Sequence, residues 1–524
     1  MRTKDLIAKR ERRDRKRVRA QRNDIEKRAS SEVTTKEAYT LPSDFDAHVL
    51  AELKHLPTHI SSEEILRRRD MRDVLTFTID PDDAKDFDDA LSFQVLETGN
   101  YQIGIHIADV THYVLENSAV DEEAYQRGTS IYLVDKVIPM LPERLCNELC
   151  SLRPNEDKLC MSVVVEMDES AKVLRHKICR TVINSDYRLT YQQAQEMIEG
   201  HSMDTLAEAL HLLNNLAKQL RSKRFEHGAI NFETPEVRFR LDNEGNPTDI
   251  VFHHSTDANY LIEEFMLLAN RIVAREIVDK PFVYRVHDVP DPEKLVRLGN
   301  FIRQFGFHLR TSNKRSVQNK HINALLDSCQ GSNSQMLIET LAIRSMAKAV
   351  YSTSNIGHYG LAFPYYTHFT SPIRRYPDMM VHRLVSRYLL QSKLPCRHEK
   401  EVLEEACVHC SDTEQMAQMA ERDSIKQMQA RWISKHIGEE FEGVISGVTE
   451  FGLFVQLSET LTEGLVPIRT IEPHDYMQYD EENYCLIAAR SGKTYTLSDK
   501  VRVRVVKADV EKKQIDFALV EERG

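Results

Sequence analysis

No run of about 18 apolar residues occurs in this 524-residue chain, so no membrane-spanning helix is expected. No apolar stretch follows the basic N-terminus, so no secretory signal is expected and the cytoplasm is the expected location. Cysteine is sparse: nine residues, an odd number, scattered without the spacing of a disulfide framework. That usage suits a reducing compartment. The one CxxC, Cys407 and Cys410, lacks a second pair at zinc-site spacing and lies in a long helical pattern. Both cysteines therefore read as helix positions. Positive charge is short overall, with a net of −11, an awkward sign for a protein that binds nucleic acid. Internal repeats are absent.

The distribution of charge matters more than its sum. Residues 1–28 carry a net +8 and the remainder −19, so a basic arm precedes an acidic body. The arm (1–35) reads either as a solvated, partly helical or disordered tail or as an electrostatic tether for RNA or ribosomes. Residues 36–72 read as a linker, with Pro42, Pro57 and a charged helix at 63–69. A large α+β region follows over 73–395. It opens on alternating strands through Leu75, Phe77 and Ile79, through Leu91, Phe93 and Val95, and through Tyr101, Ile103, Ile105 and Ile107. Long helical patterns come next, at 203–224 and 258–278. A helical connector is expected over 396–436. Residues 437–522 change to short strands with glycine turns, the pattern of a small all-β barrel. In KVRVRVV, Val501, Val503 and Val505 face one way while Arg502 and Arg504 form a basic outer face.

TIDPDDAKDFDDAL (78–91) packs Asp80, Asp82, Asp83, Asp86, Asp88 and Asp89 between two expected strands. Carboxylates this close raise one another's pKa unless a cation neutralises them. Hard oxygen ligands suit magnesium, with manganese as a substitute. A calcium loop of the EF-hand type is excluded, because its glycine and closing glutamate are missing. On its own the loop is either a cation site or a solvated acidic turn. A cation site here would suit phosphodiester hydrolysis, by activating water and neutralising phosphate charge. HFTSPIRRYPDMMVHR (368–383) lies far along the chain, with Pro377 suited to the first turn of a helix. Arg374 and Arg375 precede that helix, where an anion is favoured. Spacing alone favours two solvated or salt-bridged arginines.

These two segments, with IGIHIADVTHYV (103–114), VIPMLPERLCNELCSLRPNEDKLCMSV (137–163), LIEEFMLLAN (261–270) and HYGLAFPYYTHFTSPIRRYPDMMVHR (358–383), resemble the ribonuclease II / ribonuclease R family, nearer its ribonuclease R branch. The resemblance spans about residues 62–522. It implies a ribonuclease II-type catalytic domain followed by an S-one-type OB-fold barrel. It implies a processive 3′→5′ hydrolytic exoribonuclease that releases nucleoside 5′-monophosphates from single-stranded RNA with a free 3′ end. The family's four metal-site aspartates map onto Asp80, Asp86, Asp88 and Asp89. Asp82 and Asp83 fall where the family varies. Asp88 matches the carboxylate on which the chemistry most depends. Arg374 matches the transition-state arginine, and Arg375 is its neighbour with a weaker claim.

For RNA handling, the resemblance places Tyr132 and Phe232 as the two aromatics that sandwich the 3′-terminal bases. It places Tyr191 and one of Glu263 or Glu264 at the ribose. In the barrel, Phe451 and Phe454 around Gly452 are candidates for stacking bases, with a place in the core as the alternative reading for one of them. The family's ribonuclease R members carry two cold-shock-type barrels upstream and a lysine-rich tail, and neither pattern is present here. The expectation is an exoribonuclease of shortened N-terminus, monomeric, with the ribosome or RNA-decay factors as further partners. The alternative is a catalytically weak or inactive RNA-binding protein derived from the same fold.

Overall fold

The computed structural model describes residue 42 and residues 44–520, except 201, 203, 232–235, 311–314, 333, 473–474 and 481–483. Among the described residues no helix is long and apolar enough to cross a membrane. Seven of the described strands form one sheet. Its order is Arg69–Asp70, Val173–Asn184, Asp157–Met167, Tyr101–Ala108, Asp89–Val95, Thr76–Asp80 and Tyr187–Thr190. The interior pairs are antiparallel, and both edge pairs are parallel. The alternation read from the sequence is why: Phe77, Ile79, Leu91, Phe93, Ile103, Ile105 and Ile107 all point into one buried core. Helices Thr205–Glu226 and Asp257–Glu276 bury their apolar stripes in the same core.

The segment expected as a linker is instead packed on the domain. Helix Ala47–Leu53 buries Val49 and Leu53, and Phe45 lies 3.9 Å from the guanidinium of Arg127. Arg144 donates to the carbonyls of Leu53 and Leu56. The charged helix is shorter than expected, Ser62–Leu66, and Arg69–Asp70 joins the sheet beside Thr181 and Val182. The cause is Arg68, whose side chain turns inward to pair with buried Asp109 at 2.8 Å.

The connector is one helix, Glu399–Ile433, with a short 3-10 turn at Ser434–His436. Its first half lies inside the catalytic domain rather than between domains. Glu404 accepts from the Thr353 amide at 2.8 Å, and Cys407 and Cys410 are buried, unoxidised helix residues. Beyond it, Glu440–Thr449, Gly452–Leu457, Glu463–Pro467, Gln514–Leu519 and Lys500–Asp509 close a five-stranded barrel in that order. Gly452 has φ +144°, and a Cβ there would sit 2.1 Å from the Val466 carbonyl, so the turn requires glycine.

Candidate active site

The aspartate loop leaves the sheet at Asp80, the last residue of Thr76–Asp80, and re-enters it at Asp89, the first of Asp89–Val95. Three anchors hold it. Phe87 N donates to Ser151 Oγ at 3.0 Å, and Leu152 N donates to the Phe87 carbonyl at 3.0 Å. Arg188 Nη2 donates to the carbonyls of Pro81 and Asp82 at 2.6 and 2.8 Å. Arg188 was not singled out from the sequence, because the parallel pairing of Thr76–Asp80 with Tyr187–Thr190 is what brings it there.

Asp88 is buried, and its Oδ1 accepts from the Ile373 amide at 2.9 Å across 285 residues of chain. Arg374 Nε stands 3.6 Å from Asp88 Oδ2. The Arg374 side chain is 42% exposed, and its Nη2 donates to Ser371 Oγ at 2.9 Å. The segment 128–130 fixes this approach: Ser130 N and Thr129 Oγ1 both donate to the Arg374 carbonyl, at 2.9 and 3.0 Å. Two residues on, Tyr132 is 41% exposed, with its phenol in the field of Arg374 and Asp86. Tyr191 opens helix Tyr191–Glu199 and lies in the field of Asp89 and Asp80. The structure thus brings Asp80, Asp86, Asp88, Asp89, Tyr132, Tyr191 and Arg374 into one neighbourhood. Asp82 stands away from it, exposed, 3.8 Å from Arg188.

Burial pushes all four of these carboxyls above the ordinary range. At Asp80 the Asp89 charge adds to burial, and at Asp88 Arg374 opposes it. Burial raises the Tyr132 and Tyr191 phenols as well. Asp80 Oδ2 is buried with no hydrogen-bond partner among the described residues. Among the described residues no group of three or more His, Cys, Asp or Glu side chains stands close enough together to hold an ion. In kind, carboxylate oxygens with a buried, unpartnered Asp80 Oδ2 suit a hard divalent cation, while the four side chains as placed do not converge on one point.

Other expected residues fall differently. Arg375 turns inward: its Nη2 donates to Asp378 Oδ1 at 2.8 Å, and Asp378, fully buried, also accepts from the Ser371 amide at 2.8 Å. Asp378 lies in the first turn of helix Tyr376–Val385, where a carboxylate complements the helix dipole. The two glutamates part. Glu264 is buried in an ion pair with Arg224, while the Glu263 side chain is 44% exposed and accepts from Arg224 Nη2 at 3.2 Å. Phe232 lies outside the described residues. In the barrel neither phenylalanine is core. Phe451 is 67% exposed, and Phe454 is half-buried on the outer face. Arg502 and Arg504 are exposed, and both pair with Glu440, at 3.3 and 2.7 Å.

The RNB domain model matches residues 68–391, and the S1 RNA binding domain model matches 434–519. Ribonuclease R of Thermotoga maritima is 43% identical over 493 residues, covering 92% of this chain and 69% of that protein. Ribonuclease R of Aquifex aeolicus is 41% identical over 490 residues, with the same shares. The solved structure of Mycoplasma genitalium RNase R in complex with ribose methylated single-stranded RNA superposes with a TM-score of 0.85 at 29% identity, covering 91% of this chain and 76% of that one.

Fold and site together define an RNA-binding hydrolase with an RNB catalytic domain and an OB-fold barrel behind it. The chain belongs to the ribonuclease II / ribonuclease R family of 3′→5′ exoribonucleases.

Proposed function

We propose that this chain hydrolyses single-stranded RNA processively from a free 3′ end, releasing nucleoside 5′-monophosphates, with Asp88 and Arg374 at the reacting phosphate. The observation that carries this reading is the pairing of a buried Asp88 with a half-exposed Arg374 at 3.6 Å, on the loop that also carries Asp80, Asp86 and Asp89. Asp80, Asp86, Asp88 and Asp89 would hold magnesium, with manganese as a substitute. When bound, the ion lowers the pKa of a water and neutralises charge on the phosphate. The chain's own residues do the rest. Arg374, tethered by Ser371 and by the 129–130 backbone, points a charged N–H edge at the phosphate, where charge develops. Ile373 N holds one Asp88 oxygen and thereby aims the other. Tyr132 offers an exposed ring to a terminal base, and Tyr191 with Glu263 offers acceptors and donors to ribose hydroxyls. Glu264, neutralised against Arg224, supports Glu263. The cytoplasm is the expected setting, because nine scattered cysteines lack the spacing of a disulfide framework.

The test is 5′-labelled single-stranded RNA with magnesium, beside Asp88→Asn and an EDTA control. We expect a descending ladder or a short end-product, abolished in both controls. RNA left intact by the wild type would overturn the reading. Equal digestion of DNA would overturn the roles of Tyr191 and Glu263.

A further inference from the structure

Residues 81–88 join two neighbouring strands and carry Asp82, Asp83, Asp86 and Asp88, yet they have little backbone structure of their own. Among the described residues one backbone hydrogen bond closes inside this loop, from Ala84 N to the Pro81 carbonyl at 3.2 Å. Crowded carboxylates repel, so a loop of this composition does not keep its shape unaided. Two side chains from other elements hold it. Arg188 lies on the strand Tyr187–Thr190, paired in parallel with Thr78, and buried Leu189 beside it sends Arg188 to the opposite face. Its Nη2 donates to both the Pro81 and Asp82 carbonyls, and its guanidinium carbon stands 5.6 Å from the Phe87 ring centroid. One arginine therefore spans both limbs of the loop. Its ion pair with Asp82, at 3.8 Å to a carboxylate 95% exposed, adds little.

Ser151 grips the stretch around Asp86. It is fully buried, and its Oγ accepts from Phe87 N at 3.0 Å while donating to the Lys85 carbonyl at 2.7 Å. A hydroxyl can do both at once, and a methyl group can do neither. Both clamps hold main-chain atoms. Among the described residues neither side chain hydrogen-bonds a carboxylate of Asp80, Asp86, Asp88 or Asp89, so neither competes with a cation for those oxygens. Folding has thus ordered the backbone that a cation would otherwise order on binding, and ordering on binding weakens affinity. We propose that Arg188 and Ser151 are positioning residues that preshape the aspartate loop for its cation, Arg188 at the Asp80 end and Ser151 on either side of Asp86. The role rests on the metal-dependent hydrolysis proposed above and adds to it two residues that set the affinity for the ion.

The experiment compares the full-length wild type with Ser151→Ala, Arg188→Met and Arg188→Lys. Manganese uptake is titrated without RNA, through the electron paramagnetic resonance signal of the free ion, and amide exchange is followed by mass spectrometry in EDTA. We expect Ser151→Ala and Arg188→Met each to weaken manganese affinity about tenfold and to speed exchange over residues 84–88 about tenfold. Protection of the neighbouring strand Asp157–Met167 should stay as in the wild type. Arg188→Lys, which keeps a donor, should fall between Arg188→Met and the wild type. The magnesium concentration for half-maximal cleavage should rise by the same factor, with RNA affinity in EDTA and the rate at saturating magnesium kept within about twofold. Faster loop exchange with unchanged manganese affinity would reduce both residues to fold stability and overturn the role. Protection lost over the whole sheet in Arg188→Met would overturn the part given to Arg188, and Ser151→Ala, which removes a single oxygen, then decides the rest. A wild type that takes up no manganese overturns the metal reading and this role together, whereas equal uptake by wild type and variants overturns this role alone.

Discussion

Arg374 and Arg375 are adjacent in sequence and have opposite fates. Arg375 is buried against Asp378, and that carboxylate raises its pKa despite burial. Arg374 remains half-exposed, with Asp88 at 3.6 Å as its nearest carboxylate. Arg374→Ala is therefore expected to lower kcat by about 10²–10³-fold with little change in RNA affinity, the signature of a charge used in the transition state. Single-turnover kinetics beside equilibrium binding would check it, and a loss of affinity proportional to the loss of rate would contradict the role. The doublet was legible as a candidate anion site. Which member faces the site was not, because that depends on Asp378, three residues on, folding back under the helix N-terminus.

At the level of elements, the central sheet carries a polar seam that the hydrophobic alternation conceals. His106 is fully buried on Tyr101–Ala108, with Nδ1 2.8 Å from Ser162 Oγ and Nε2 2.9 Å from Ser92 Oγ. Ser162 in turn meets Thr181 at 2.6 Å, so the seam crosses four strands. Gly104 leaves room for it, since a Cβ there would lie 2.3 Å from Ser92 Oγ and 2.4 Å from His106 Nε2. Burial holds His106 neutral, with its pKa lowered to about 3 from an ordinary 6.5. The unfolded chain takes up a proton below about pH 6.5 that the folded chain refuses. The stabilisation is thus complete above that pH and is lost as pH falls from about 6.5 toward 3, by up to about 1.4 kcal/mol per unit. His112, His368 and His382 are lowered in the same direction. Urea unfolding at pH 7 and pH 5 should show a shallower pH dependence in His106→Gln than in the wild type. Identical dependence would remove His106 from the account.

At the scale of the whole molecule, the barrel is fastened to the body rather than tethered to it. One apolar cluster runs from Leu295, Phe301 and Ile322 into the barrel's Ile445, Val455 and Val503. The Phe301 and Tyr484 rings meet edge-on at 4.9 Å, and Lys513 pairs with Asp423 of the Glu399–Ile433 helix at 2.6 Å. The same helix reaches the antiparallel strand pair Ile131–Tyr132 and Val137–Ile138, where Glu421 accepts from the Tyr132 amide at 3.0 Å and Ser424 Oγ from the Val134 amide at 3.0 Å. Phe451 lies on the barrel's exposed side, remote in sequence from the carboxylates. Phe451→Ala should weaken binding of long single-stranded RNA by about 1–3 kcal/mol and leave cleavage of short oligonucleotides unchanged. Equal affinity of wild type and variant would show that the ring stacks no base.

Local pattern in the sequence was enough for the family and for the α+β domain with a barrel behind it. It was enough because strand alternation, proline and glycine placement, and ordered motifs are local properties. Tertiary structure alone decided which glutamate of 263 and 264 stays exposed, which arginine of 374 and 375 faces Asp88, and that neither Phe451 nor Phe454 is core. It also turned an expected linker into a packed helix and half of an expected connector into interior. Most of these outcomes depend on a partner far away in the chain, Arg224, Ile373 or Arg127 among them, and local pattern carries no information about which distant group will bury or pair with a side chain.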